Sequence, residues 1–120
     1  MADLAFYGYG KCSTCRDAAK WLQQRGHKLE YHDLFEQAPD VEVLRKLWRT
    51  SGLELKKLFN VSGEVYREMG LKDKLPAMSE QEQLELLASN GRLIKRPIVT
   101  DGVVTTVGFK KETYEQVWDR

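Results

Sequence analysis

Cysteine is scarce in this sequence. Only Cys12 and Cys15 occur in 120 residues. A chain of that length buries a core without covalent staples, so two cysteines do not make a disulfide scaffold. A structural zinc site wants four ligands. There is no second cysteine pair, and the two histidines, His27 and His32, lack metal-binding spacing, so no metal is expected. Long apolar runs are absent too. None approaches the roughly 18 residues of a membrane span, and no membrane association is expected. Charge of one sign is missing: 19 Lys and Arg against 18 Asp and Glu leave a net +1, which carries no signature of direct nucleic-acid binding. Met1-Ala2-Asp3 places an acid where an export leader places lysines, so a cytoplasmic location with reduced thiols is expected. Repeats, low-complexity stretches and linkers are also lacking, which points to one domain over residues 1–120.

Hydrophobic residues make up 42% and charged residues 31%, the balance of a globular protein. Leu4 to Tyr7 is an apolar strand candidate ending at Gly8. From Ser13 to Arg25 the spacing predicts a helix with Cys15, Ala18, Ala19 and Leu22 on one stripe, closed by Gly26. Lys28 to Leu34 alternates, with Leu29 and Tyr31 inward and Glu30 and His32 outward, as a half-buried strand does. Asp40 caps a helix striped by Val41, Leu44, Leu47 and Trp48 that closes near Gly52. Short pieces follow over 53–59 and 64–69. Ser79 with Glu82 forms a capping box ahead of a helix carrying Leu84, Leu87 and Ala88. Ile98-Val99-Thr100, Asp101-Gly102 and Val103-Val104-Thr105 read as a hairpin with a two-residue turn. Lys110 to Trp118 reads as a last helix facing inward through Tyr114, Val117 and Trp118.

The order is strand-helix-strand, a helical insertion over roughly 40–91, then strand-strand-helix. The first unit implies a parallel pair and the hairpin an antiparallel one. The expected fold is α/β, a thioredoxin-like mixed four-stranded sheet flanked by helices.

The C-x-x-C pair has three readings: a metal clamp, two packed thiols, or a redox pair. Position favours the last. Cys12 falls where the strand-to-helix loop ends, so its sulfur can meet the unpaired N–H groups and positive end of the helix dipole. Lys11 and Arg16 also favour thiolate, the attacking species in disulfide exchange. Cys15 lies one turn on, within reach to resolve a mixed disulfide. Ser13 and Thr14 can cap the helix and donate hydrogen bonds. Arg96-Pro97 opens the strand that faces this motif in such a fold, and the proline is expected to be cis.

The stretches YGYGKCSTCRDAAKWLQQRG, LFNVSGEVYREMGLKDKL, KRPIV and VGF together resemble the ArsC/Spx/YffB family of arsenate reductase-like proteins. The likeness is closest to the Spx/MgsR-like branch that carries C-x-x-C. It spans nearly the whole chain and implies a thioredoxin-like fold with an inserted helical bundle. It places the nucleophile on Cys12, the second switch cysteine on Cys15, and the anion-holding arginine on Arg96 before Pro97. Two further arginines that hold arsenate in the family would fall in Asn60-Val61-Ser62-Gly63 and in Thr106-Val107-Gly108-Phe109, and neither stretch has one. A missing charged hydrogen bond costs roughly 1.5–3 kcal/mol. Two together weaken binding roughly a hundredfold or more. Lys57, Arg67, Lys95 and Lys110 stand near enough in sequence to compensate.

Two functions follow. In the first the chain is a small thiol-dependent reductase. Cys12 attacks a small thiol-derived disulfide or an oxyanion, and Cys15 resolves the adduct. Lys11, Ser13, Thr14 and Pro97 line the substrate, and Arg96 holds its negative charge. No cofactor is bound, and glutathione or a glutaredoxin or thioredoxin resets the pair. Glutaredoxin-dependent arsenate reduction is a special case. In the second the pair is a redox sensor in an Spx-like regulator that binds the RNA polymerase α subunit, with Gly52 at the place of a family contact.

Overall fold

The computed structural model describes residues 3–119; Met1 and Ala2, on which the expectation of a leader-free start partly rests, lie outside them. Strand β1 (Asp3–Gly8) leads into helix α1 (Ser13–Gln24) and strand β2 (Lys28–Asp33). Helices α2 (Val41–Ser51), α3 (Glu64–Glu68), α4 (Leu71–Lys74) and α5 (Glu80–Ser89) follow, with 3-10 turns at Leu55–Leu58, Leu75–Ala77 and Gly91–Leu93. Strands β3 (Ile98–Thr100) and β4 (Thr105–Val107) and helix α6 (Lys111–Val117) complete the chain. The sheet order is β2-β1-β3-β4. The β1–β2 pair is parallel and the other two are antiparallel. This is the thioredoxin-like plan with helices inserted between β2 and β3.

Alternation along the strands builds a separate core on each face of the sheet. Leu4, Phe6 and Val99 face α1 and α6, where they meet Cys15, Ala18, Trp21, Leu22, Tyr114 and Trp118. Tyr7 and Ile98 face the inserted helices, whose core includes Leu44, Leu47, Leu58, Leu84 and Leu87. The caps form as the sequence implies. Asp40 accepts a hydrogen bond from the Val43 N–H at 2.9 Å, and Ser79 and Glu82 make a reciprocal capping box. His27 is buried, with Nε2 2.6 Å from the Trp118 carbonyl oxygen, which ties the α1–β2 corner to the end of α6. Where the last inserted turn crosses the end of β2, only glycine fits: a Cβ on Gly91 would stand 1.7 Å from the Leu34 carbonyl oxygen.

Three expectations need correction. Tyr31 lies on the α1 side of the sheet, stacked on Phe6, but it is not buried there; it stays 46% exposed, because β2 is an edge strand and nothing packs beyond it. The hairpin loop has four residues, not two, since Thr100 pairs with Thr105. Asp101 sets that length by accepting hydrogen bonds through Oδ1 from the N–H groups of Val103 and Val104, at 2.9 and 2.8 Å. Finally, residues 71–77 form two short helical pieces where no element was expected. At four and three residues they are too short to show a period.

Candidate active site

The residues of interest gather where β1 gives way to α1. The loop closes on itself through the Cys12 N–H, which donates to the Tyr9 carbonyl at 3.0 Å. Cys12 then serves as N-cap of α1, with extended backbone angles (φ −86°, ψ 116°). Its sulfur accepts a hydrogen bond from the Cys15 N–H at 3.4 Å. The sulfur thus takes the position that a Ser or Asp oxygen occupies in an ordinary cap. This corrects the expectation for Ser13 and Thr14. They are exposed first-turn residues, and the capping atom is the thiol itself.

Two sulfurs one turn apart have opposite acid–base character. Both are unbridged thiols. At Cys12, desolvation is the strongest single influence and favours the neutral thiol. It is outweighed by hydrogen bonds from the Cys15 side chain and backbone, and by the charge and a hydrogen bond of Arg96, so the Cys12 pKa lies below the ordinary thiol value of 9.0. Cys15 is fully buried. Burial, with lesser contributions from the hydrogen bond and charge of Cys12, pushes its pKa up to about 12, against opposing pulls from the Tyr9 backbone and Arg96. One sulfur is disposed to attack and the other is stored as a thiol.

Arg96 is the cation that acts on Cys12. Lys11 is exposed, and Arg16 turns back to donate to the Gly10 carbonyl at 3.4 Å. Neither contributes to the Cys12 shift, contrary to the sequence expectation. The Arg96–Pro97 peptide is cis, as expected. The guanidinium lies 4.8 Å from the centroid of the Phe35 ring, and that of Arg92 lies 4.6 Å from it. Phe35 in turn stacks on Tyr9 at 4.0 Å. A ladder of Tyr9, Phe35 and Arg96 therefore runs beside Cys12, with rings steering the guanidinium. The Nε and Nη1 atoms of Arg96 are buried without a hydrogen-bond partner, leaving donors for an incoming anion. Of the proposed contact residues, Pro97 is buried at the start of β3, while Lys11, Ser13 and Thr14 ring the mouth of the loop.

Phe35 and Arg92 did not stand out in the sequence, where nothing but their place after β2 and before Arg96 could have signalled them. Phe109, within the VGF stretch, packs, as Cys12 does, against the buried cluster that contains Cys15. An aromatic surface thus occupies one of the two stretches where a second arginine was sought. Lys57, Lys95 and Lys110 do not fill the gap. They line a separate groove of about 830 Å³ along β4 whose walls do not include Cys12. Arg67 donates to the Ser62 carbonyl at 3.1 Å. Among the described residues, no three His, Cys, Asp or Glu side chains come together as a metal site would require, and no helix is long and apolar enough to cross a membrane.

The family model described as the ArsC family matches residues 7–117. The chain is 56% identical over 115 residues to the uncharacterized protein YusI of Bacillus subtilis (strain 168), covering 96% of this chain and 98% of that one. It is 27% identical to the regulatory protein MgsR of the same strain, over 88% of this chain and 82% of MgsR. Among solved structures, a possible arsenate reductase from Streptococcus mutans UA159 superposes with a TM-score of 0.85 at 42% identity, covering 96% of this chain and 99% of that one.

Proposed function

The chain belongs to the ArsC family, and from that premise we propose that it is a thiol–disulfide oxidoreductase of a reducing cytosol, with Cys12 as nucleophile and Cys15 as resolving thiol. The observation that carries this reading is the placement of the Cys12 sulfur at the N-cap of α1, 3.4 Å from the Cys15 amide nitrogen, where Cys15 and Arg96 together lower its pKa. The Cys12 thiolate attacks one sulfur of a disulfide R–S–S–R′. A Cys12–S–S–R bond forms, the S–S bond of the substrate breaks, and R′S⁻ leaves. Cys15 then attacks the Cys12 sulfur. The Cys12–Cys15 disulfide forms, RS⁻ departs, and the proton lost by Cys15 is matched by the proton RS⁻ gains. Glutathione, a glutaredoxin or a thioredoxin supplies the two electrons that restore the dithiol. Lys11, Ser13, Thr14 and Pro97 border the incoming group, and the unpaired donors of Arg96 hold its carboxylate.

Arsenate is a poor substrate in this reading. One guanidinium faces Cys12, and the stretches where the resemblance places two more hold Asn60 and Phe109. The test is turnover of a glutathione mixed disulfide with glutathione as reductant. The wild type turns over, Cys12→Ser does not, and Cys15→Ser accumulates a mixed disulfide visible by mass spectrometry. Absence of turnover in the wild type overturns the proposal.

The likeness to MgsR favours one second reading, a redox-controlled regulator that binds the RNA polymerase α subunit. Gly52 is fully accounted for as the left-handed residue that ends α2 (φ 69°), so it adds no independent support. Redox-dependent capture of the purified α subunit, with no turnover, would establish the regulator instead.

A further inference from the structure

Gly8 ends β1 directly beneath the sulfur pair. The space its missing side chain leaves is already occupied from three sides. A Cβ there would lie 2.8 Å from the Phe6 ring, 3.1 Å from the Tyr31 hydroxyl oxygen and 3.2 Å from the Cys15 sulfur. The phenol of Tyr31 and the thiol of Cys15 therefore meet over one glycine, separated by no more than those two reaches together. Tyr31 comes to this point from β2. It is paired in register with Phe6 and stacked on that ring at 5.0 Å with an interplanar angle of 26°. The hydroxyl has no hydrogen-bond partner among the described residues, and the residue is half exposed. Its donor is unspent.

The electrostatics agree with the geometry. The Tyr31 pKa is raised first by burial, then by the neighbouring charges of Cys15, Asp33 and Cys12. The groups that face the phenol are thus the two thiols of α1 and the carboxylate of its own strand. All three keep it protonated, and a protonated phenol is a donor.

Resting on the oxidoreductase reading above, we propose that Tyr31 is the hydrogen-bond donor to Cys15 in the resolving step, its hydroxyl bonding to the sulfur as that thiol gives up its proton. The need for such a group follows from burial. Cys15 is held as a neutral thiol, yet it must carry negative charge as it attacks the Cys12 sulfur. The first attack, by Cys12, has its own stabilisers in the helix N-terminus and Arg96. The second has the Tyr9 backbone and the more distant charge of Arg96, which burial outweighs, and the phenol is the unspent side-chain donor on that side of the turn. Tyr31 keeps its proton throughout. The Cys15 proton is lost to solvent and is balanced by the proton that the departing RS⁻ takes up.

Reaction with 5,5′-dithiobis(2-nitrobenzoate) separates the two steps in one trace, because each releases one equivalent of thionitrobenzoate. The wild type gives a first phase from Cys12 and a second from Cys15. In Tyr31→Phe the ring stack on Phe6 is kept and only the donor is lost. The first phase and its pH profile stay unchanged, which also certifies the fold. The second phase slows roughly ten- to a hundredfold, the worth of one hydrogen bond to a charged group, and its pH profile moves upward. Two equivalents released with equal second phases in wild type and Tyr31→Phe overturn the role of Tyr31 alone. A wild-type trace that stops after one equivalent overturns the resolving role of Cys15, and the role of Tyr31 with it.

Discussion

The two sides of the first turn of α1 are built from the same backbone and behave as opposites. On the open side, Cys12 has an amide to accept from, a guanidinium beside it and partial access to water. On the inner side, Cys15 has Phe6, Ala18 and Leu22 around it and no access at all. Two residues of sequence separate a sulfur that favours the anion from one that resists it. The helix N-terminus alone does not make a cysteine reactive. Side-chain direction on the turn decides which of two equivalent thiols receives the benefit.

The comparison breaks most completely with Cys12→Ser. Reaction with an aromatic disulfide at neutral pH should fall to background, since Cys15 is buried and protonated. If Cys15 reacts at near wild-type rate in this variant, the two sides are not distinct. Next in size is Arg96→Gln. The Cys12 pKa should rise toward 9, with the thiolate fraction at pH 7 dropping about tenfold for each unit of rise. Rates measured well above pH 9 should be nearly restored, and a pH profile of alkylation reads both effects. Phe35→Leu removes the ring under Arg96 while keeping an apolar side chain. A cation–π contact at a partly exposed site is worth about 0.5–1 kcal/mol, so a two- to fivefold loss of rate at pH 7 is expected, roughly by the standard conversion, with the same recovery at high pH. The smallest effect belongs to Ser13→Ala. Ser13 is exposed and does not cap α1, so urea denaturation should report a change within about 0.5 kcal/mol, where loss of a capping serine would cost about 1.

Stability against pH sharpens the same contrast. Cys15 has a folded-state pKa above that of the unfolded chain. Its contribution is therefore whole below pH 9 and is lost as pH rises toward about 12. Cys12 has the reverse sign: its contribution is present above pH 9 and is lost as pH falls through its lowered value. Cys15→Ala should flatten the alkaline loss measured by urea denaturation at pH 8 and pH 10, and Cys12→Ala should not.

Much of this arrangement was legible in the sequence because its causes are local. A C-x-x-C between an apolar strand and a striped helix, glycine at the helix end and the Ser79–Glu82 box each act over a few residues. What was not legible depends on neighbours far along the chain. Tyr31 alternates as a core residue should, and only the sheet order, with β2 at the edge, exposes it. The capping role went to Cys12 rather than Ser13 because the sulfur, not the hydroxyl, reaches the Cys15 amide. Lys11 and Arg16 flank the cysteine motif in sequence, yet Arg96, delivered from the far side of the insertion, supplies the charge. The aromatic ladder joins residues from the β1–α1 loop, the end of β2 and the start of β3, and no window of sequence contains all of them.

The contact at Gly91 gives the ladder its dimensions. It presses the exit of the inserted helices against the main chain at Leu34, so the two neighbours of that contact, Phe35 on one side and Arg92 on the other, are spaced by backbone against backbone. Arg96 follows on the same chain segment, four residues after Arg92. A methyl group added at residue 91 would force the two chain segments apart and lift the guanidinium off its ring. A hydrogen-to-carbon change at a residue with no side chain would then be felt as a weaker acid at position 12.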